Sequence, residues 1–428
     1  MVPTPKPTIV LTNKLHFEPC APIDRASFLA KYTGGKRIKY AVGYDAMQTG
    51  VYKTNTVCFV KMARFAPNEK HDPSPRVVSF RNPQFCAQLG CYIRGIEHQL
   101  FGMEPQWVFK YPDFIAKSHN LAKRATIIFD KFKRFPYCYS IDCSRFEAHI
   151  NAMLIDLEHS VYLKCYNNDK LLRDLLKVQK VNKFNSRFGV SGTFPCRRLS
   201  GDMNTACGNV IIMLNVLGSY FEQYPQPFDV YDDGDDCLLF VHTLAESQFV
   251  DWFRSAGLVI RIEHKAQSPE EVVFCQHHPV YDDENGHGIM VPDINKHLAS
   301  AYTGFHFHGL KRTKAQCATM ARCWSAMYAD VPMLGAFHRT VAKLFKSDRV
   351  VYDNKEQEFY ATNIATVIQL RSGPKLRNSF YRAFGFTPFE QTRFEYLIEF
   401  GNGVAPIRDA ISFDHITLTS VAQHIGPF

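Results

Sequence analysis

Between Tyr137 and Lys265 the hydrophobic positions switch repeatedly between a spacing of two and a spacing of three to four, which predicts alternating strands and helices. Tyr137 to Asp142 reads as a strand that ends on a carboxylate. Phe146, Ile150, Met153, Leu154 and Leu157 then recur as on one face of an amphipathic helix. After a polar, lysine-rich stretch from Asn167 to Arg187, Gly201 to Gln223 reads as a second helix, with Ser200 or Asp202 as its cap and an apolar run through Leu217. Phe228–Tyr231 and Cys237–His242 flank Asp232-Asp-Gly-Asp-Asp236, and an Asp-Gly pair between two apolar strands predicts a hairpin with its carboxylates at the turn. A helix near Leu244–Ser255 leads into a strand at Leu258–Ile262, and a further short strand is expected at Val272–Cys275. Beyond about residue 283, segments such as Ala315–Tyr328 and Val341–Phe345 predict a mainly helical region.

At 428 residues the chain exceeds the ~250–300 residues at which single cores stop growing, so several subdomains are expected. Val210–Leu217, broken only by Asn215, is the longest largely apolar stretch and falls well short of the ~18 residues that a membrane-spanning helix needs. The amino end lacks the charged-then-apolar design of a secretory signal. Thirteen cysteines without a CxxC pair argue against a disulfide framework and a zinc finger, and for a reducing compartment. The net charge of +9 favours a polyanionic partner only if the bases cluster.

Asp232, Asp233, Asp235 and Asp236 crowd four carboxylates into five residues, where like charges cannot all ionise cheaply. A solvated acidic turn is the ordinary explanation of such a run. A calcium loop of the EF-hand type fails on spacing, because counting from Asp229 puts Tyr231 at the third ligand position and Phe240 at the twelfth. Asp142 changes the picture: if its strand pairs beside the hairpin, carboxylates from two strands converge where two metal ions ~4 Å apart could be held.

Three blocks in this order carry a resemblance to a known family. Asp142–His149, Ser200–Asn209 and Asp233–Cys237 resemble motifs A, B and C of the viral RNA-dependent RNA polymerases of the tombusvirus-like (carmovirus-like) group. Lys61–Arg81 resembles the basic motif F, and Arg261–Lys265 and Val272–Gln276 sit where motifs D and E belong. The resemblance implies an α/β (α+β) right-hand fold. Its fingers would take 1–135 with an N-terminal extension, its palm 136–160 and 199–282 around a fingers insertion at 161–198, and its thumb 283–428.

The resemblance also implies roles. Asp142, Asp235 and Asp236 would be catalytic ligands of Mg²⁺, or of Mn²⁺ as a substitute, in two-metal nucleotidyl transfer. Lys265 would protonate the departing pyrophosphate, with His264 as a competitor. Glu147, Ser200, Gly201, Thr205 and Asn209 would bind ribose and template. Lys61, Arg64, Lys70, Arg76 and Arg81, five bases within 21 residues, would meet the triphosphate. Glu147 stands where the family usually has Asp, and Asp232 where close relatives generally have Asn. The implied partners are template and nascent RNA, nucleoside triphosphates (NTPs), and another viral replication protein that supplies membrane attachment. The implied place is the host cytoplasm, in membrane-associated replication complexes, and initiation would be primer-independent. A reverse transcriptase shares such a palm, but Asn209 and the Asp-Gly-Asp-Asp turn point away from it. A catalytically silent RNA-binding scaffold is the rival outside enzymes, and the intact carboxylates argue against it.

Overall fold

The computed structural model describes residues 5–47, 56–61, 76–186, 189–282, 286–302, 309–352, 358, 370 and 373–400. In chain order the elements are α1 (Arg25–Ala30), α2 (Gly34–Met47), β1 (Thr56–Val60), β2 (Val77–Arg81), α3 (Pro83–Phe101), α4 (Leu121–Phe132), β3 (Tyr137–Cys143), α5 (Phe146–His149), α6 (Ala152–Cys165) and α7 (Lys170–Gln179). They continue with β4 (Val181–Ser186), β5 (Ser191–Pro195), α8 (Thr205–Gln223), β6 (Phe228–Asp232), β7 (Asp236–Val241), α9 (Glu246–Ser255), β8 (Ile260–Ala266), a 3₁₀ turn (Pro269–Glu271), β9 (His277–Tyr281) and β10 (Gly288–Pro292). The last are α10 (Ile294–Ser300), α11 (Leu310–Met327), α12 (Leu334–Leu344), α13 (Pro374–Phe384) and α14 (Pro388–Phe400). The chain divides into two compact units, 1–118 with 137–265, and 119–136 with 266–428. These divisions differ from the subdomain boundaries expected above: residues 119–136 and 266–282 both group with the carboxy-terminal part.

The first unit is built on a sheet of order β6-β7-β3-β8. Tyr139, Ile141 and Cys143 on one face of β3 join the core formed with α6 and α8, while the alternation of a strand turns Asp142 to the other face. α8 is buried on every side from Cys207 to Phe221, as its apolar run requires. A second sheet, β2-β1-β4-β5, contains part of what reads in sequence as a polar stretch: Lys170–Ser186 forms α7 and then β4, which pairs in parallel with β1.

Local chemistry explains where the elements depart from their expected bounds. The helix expected through Phe146–Leu157 is two helices, because the Asn151 side chain accepts from Leu154 N at 3.2 Å and caps a new start for α6. α8 begins at Thr205 and not at Gly201, since Asp202 spends its carboxylate on Arg81 and cannot cap. Val272–Cys275 is not a strand; the chain leaves the 3₁₀ turn, and Cys275 and Gln276 take the left-handed conformation before β9 begins at His277.

The second unit packs α4 on the β9–β10 hairpin, where Tyr281 Oη donates to Ala125 O at 2.8 Å. Its helices enclose a buried chain of neutral groups. Tyr302 Oη and His338 Nδ1 share a hydrogen bond at 2.7 Å, and His338 Nε2 meets His297 Nε2 at 3.0 Å, a contact in which one of the two nitrogens carries the proton. Burial lowers both histidines, His297 to about 3, and a proton on His277 would lower His297 further, as one on His297 would lower His338. Both therefore stay neutral in the fold but titrate near 6.5 when unfolded, so the unfolded chain binds more protons below that value. Stability is expected to hold above pH 6.5 and to fall towards pH 3, by about 1.4 kcal/mol per pH unit for each histidine. Urea midpoints followed through Trp324, which stacks on Tyr328 beside the pair, should show this slope, and His338→Gln should flatten it. Among the described residues no helix is long and apolar enough to cross a membrane.

Candidate active site

β3 and β7 pair antiparallel with Asp142 opposite Asp236, so the register itself brings the carboxylate of the first strand to the hairpin. The turn between β6 and β7 is Asp233-Gly234-Asp235, closed by Asp233 N donating to Asp236 O at 2.9 Å. Gly234 has φ +103°, a conformation that side chains rarely adopt, and an added Cβ would lie 3.2 Å from Asn209 Cβ. Asp235 is exposed at the tip, and its carbonyl accepts from Cys143 N at 3.2 Å. The Asp142 carboxyl is raised above the ordinary range by partial burial and then by the charge of Asp235, with Arg261 opposing. Asp232 is fully buried behind the turn, and burial raises it far more, against a bond from Gly234 N to Oδ1 at 3.3 Å.

A cavity of about 380 Å³ opens in front of this turn. Asp233 and Asp235 line it together with Glu147, Ser200, Gly201, Thr205 and Asn209, so the structure gathers the residues expected to bind ribose and template. Asn209 Nδ2 lies 3.4 Å from Glu147 Oε1, while Asn209 Oδ1 is buried without a hydrogen-bond partner. The Thr205 hydroxyl donates back to Leu199 O at 2.9 Å, which leaves its lone pairs to the cavity.

The segment 198–204 that carries Ser200 and Gly201 is held from below by two buried ion pairs. Arg81 Nε meets Asp202 Oδ1 at 2.6 Å, and Arg198 pairs with Glu158. Gly201 N donates to Ser79 O at 2.9 Å, an approach too close for any side chain at 201. Asn204 Nδ2 donates to Glu158 Oε1 at 2.7 Å and to Gln179 Oε1 at 3.2 Å.

Two of the expected residues stand away from the cavity. Arg81 does not line it: it is 2% exposed, its Nη2 bonds Asn182 Oδ1, and its guanidinium lies 5.1 Å from the Phe85 ring centre. Breaking so buried a pair would cost about 3–5 kcal/mol, which makes Arg81 a support of the 198–204 segment. Lys265 does not approach the carboxylates: its Nζ sits 4.2 Å from the Tyr137 ring centre and 5.4 Å from that of Tyr139. Tyr137 is five extended residues, about 17 Å, from Asp142 and on the opposite face of β3. Lys61 and Arg76 are exposed at the facing ends of β1 and β2, and neither lines the cavity. Arg64 and Lys70 lie outside the described residues.

Lys36, Tyr40, Arg94, Glu97 and Lys117 also line the cavity, and sequence reasoning did not single them out. Nothing in their local pattern marks them; they arrive on α2, α3 and the segment before α4. Among the described residues no three Asp, Glu, His or Cys side chains stand close enough together to hold an ion by themselves. The donor set nevertheless fits Mg²⁺, which keeps several waters and is bound through one or two carboxylates plus substrate phosphates rather than by an all-protein cage.

Residues 10–399 match the family model described as viral RNA dependent RNA polymerase. The chain is 28% identical over 399 residues to the RNA-directed RNA polymerase of Tobacco necrosis virus (strain A), covering 87% of this chain and 53% of that one. It is 29% identical over 394 residues to that of Tomato bushy stunt virus (strain Cherry), covering 87% and 46%. The chain thus spans about half the length of these relatives. Its fold is similar to that of the Sicinivirus 3Dpol RNA dependent RNA polymerase, with a TM-score of 0.56 at 14% identity over 76% of this chain and 71% of that one. With the family's model matched from residue 10 to residue 399, the chain belongs to the viral RNA-dependent RNA polymerases.

Proposed function

We propose that the chain copies RNA from an RNA template for a positive-strand RNA virus, joining NTPs to a 3′-end. The observation that carries this reading is the register pair Asp142–Asp236 beside Asp235, which itself lines a cavity with Asn209, Glu147 and Ser200. In the reaction the 3′-oxygen bonds to the α-phosphorus as the bond to pyrophosphate breaks, a step governed by positioning and charge. Mg²⁺ or Mn²⁺ at Asp142 and Asp235, with Asp236 alongside, would neutralise the triphosphate and lower the pKa of the attacking hydroxyl. The chain's own residues place the sugar. Asn209 Oδ1, buried and unpaired, is an acceptor for a ribose 2′-hydroxyl, and Glu147 steadies the amide from the other side. Ser200 and Gly201 take the template side.

In this reading the first unit supplies palm and fingers, and the second contains the thumb. Lys61, Arg64, Lys70 and Arg76 would meet the triphosphate, and initiation would need no primer. Membrane attachment in the host cytoplasm would come from another viral replication protein.

The test is incorporation of labelled ribonucleotides on an RNA template with Mg²⁺ or Mn²⁺, with deoxynucleotides and a DNA template as controls. Synthesis that depends on an RNA template and on ribonucleotides is expected; tight RNA binding without synthesis would favour the silent scaffold. Asn209→Ala should lower the ribo-to-deoxy ratio of kcat/KM by roughly tenfold or more, as an unmet buried acceptor costs about 1–3 kcal/mol. An unchanged ratio would remove Asn209 from sugar recognition.

A further inference from the structure

We propose that Lys117 is the resident counter-ion of the acidic hairpin, and that it sets how tightly a divalent cation is taken up at Asp142 and Asp235. The inference rests on the reading of those carboxylates as cation ligands.

The chain goes to some length to deliver this lysine. Residues 114–116 run as a short parallel addition to the end of β6: Asp232 N donates to Phe114 O at 3.0 Å and Ala116 N to Asp232 O at 2.8 Å. The segment is bracketed by Asp113 at φ +54° and Ser118 at φ +71°, left-handed conformations that are uncommon without glycine. Lys117 follows directly, and its Nζ lies 2.7 Å from Asp233 Oδ1, with the two side chains 27% and 13% exposed. It lines the same cavity as Asp235 and Glu147. Its charge is also felt by the buried Asp232 and by Glu97 across the cavity.

This placement has a consequence for cation uptake. Five carboxylates, Asp142, Asp232, Asp233, Asp235 and Asp236, meet at one end of the sheet. A lysine fixed among them lowers their mutual repulsion when no cation is bound, and by the same Coulomb term it repels an entering one. A lysine suits this duty better than an arginine, because its ammonium is a compact charge with three donors on a flexible stem, whereas a guanidinium would lock a carboxylate bidentately.

The measurement is Mn²⁺ binding to the full chain, read from the electron paramagnetic resonance of the free ion without RNA or nucleotide. Lys117→Met is expected to bind Mn²⁺ about three- to tenfold more tightly than the unsubstituted chain. Lys117→Gln, which keeps a donor for Asp233 but not the charge, should follow Met, and Lys117→Arg should stay within about twofold of the unsubstituted protein. A lysine that merely held the turn in place would give the opposite sign, because a disordered turn binds the ion less well. Equal or weaker binding in both Met and Gln variants, while Asp142→Asn still abolishes Mn²⁺ binding, overturns the counter-ion role and leaves the polymerase reading intact. Binding that is indifferent to Asp142→Asn overturns both, since the ion is then not at these carboxylates.

Discussion

Asp235→Asn is expected to leave the chain folded and to lower RNA-templated nucleotide incorporation by about a thousandfold or more, equivalent to roughly 4 kcal/mol of transition-state stabilisation. The fold should survive for a local reason. Asp235 is exposed at the hairpin tip, and its structural bond, from Cys143 N, is made to its backbone carbonyl. Asparagine keeps the size and the carbonyl but withdraws a negative charge at the point where, in the proposed reaction, a triphosphate and a cation would be brought together. A preorganised charge of this kind is usually the largest single contribution to such a reaction. Asp142→Asn should match it, because Asp142 stands opposite Asp236 at the end of the β3–β7 ladder, close enough to Asp235 for that charge to raise its carboxyl. The check is the single-turnover incorporation rate at saturating NTP, alongside the thermal midpoint of each variant. A rate within tenfold of the unsubstituted chain would show that Asp235 is not at the reacting atoms.

The second large effect is on stability and lies beneath the site. Glu158→Gln is expected to cost about 3–5 kcal/mol, the usual result of stripping one partner from a buried ion pair. Glu158 is 0% exposed. One of its oxygens accepts from Tyr162 Oη at 2.8 Å and Asn204 Nδ2 at 2.7 Å, and the other pairs with Arg198. Glutamine keeps the volume but leaves the Arg198 guanidinium buried without its counter-charge, and one of its two ends must now donate where glutamate only accepted. Gly208→Ala offers an independent route to the same loss, since its Cβ would land on the Glu158 carboxylate and the Arg198 guanidinium. Urea midpoints measure both. Incorporation should fall with them, because the segment carrying Ser200 and Gly201 rests on this pair. A Glu158→Gln midpoint equal to that of the parent chain would mean that the network is not what holds the segment.

Those two predictions stand on residues of different legibility. Asp235 was visible in the sequence because a turn announces itself locally, with an Asp-Gly pair between two apolar strands. Glu158 was not, since it reads there as one polar position on a helix. Its partners Arg198 and Asn204 are 40 and 46 positions away. The same limit explains where Arg81 and Lys265 stand. Arg81 looked like one base among five, and only its meeting with Asp202, 121 positions on, takes it out of the cavity. Lys265 lies within β8 itself, and the direction of that strand carries it to the end of β3 away from Asp142. The helix break at Asn151 was in principle readable, as Asn is a strong cap, yet the apolar spacing continues across it and masked the stop.

What the sequence alone determined is whatever a window of a few residues can encode: the strand that ends on Asp142, the hairpin of β6 and β7, the burial of α8 and the order of the three acidic and polar blocks. Periodicity and turn chemistry act between near neighbours, so they survive without knowledge of the fold. What only the tertiary structure decided is which charges meet. Asp142 lies opposite Asp236, Arg81 is spent on Asp202, Glu158 anchors Arg198, and Lys117 is delivered to Asp233 from a segment with no acidic motif of its own. Those pairings depend on strand register and on chain crossings that bring remote positions within 3 Å or so, where a Coulomb interaction rises steeply as water is excluded.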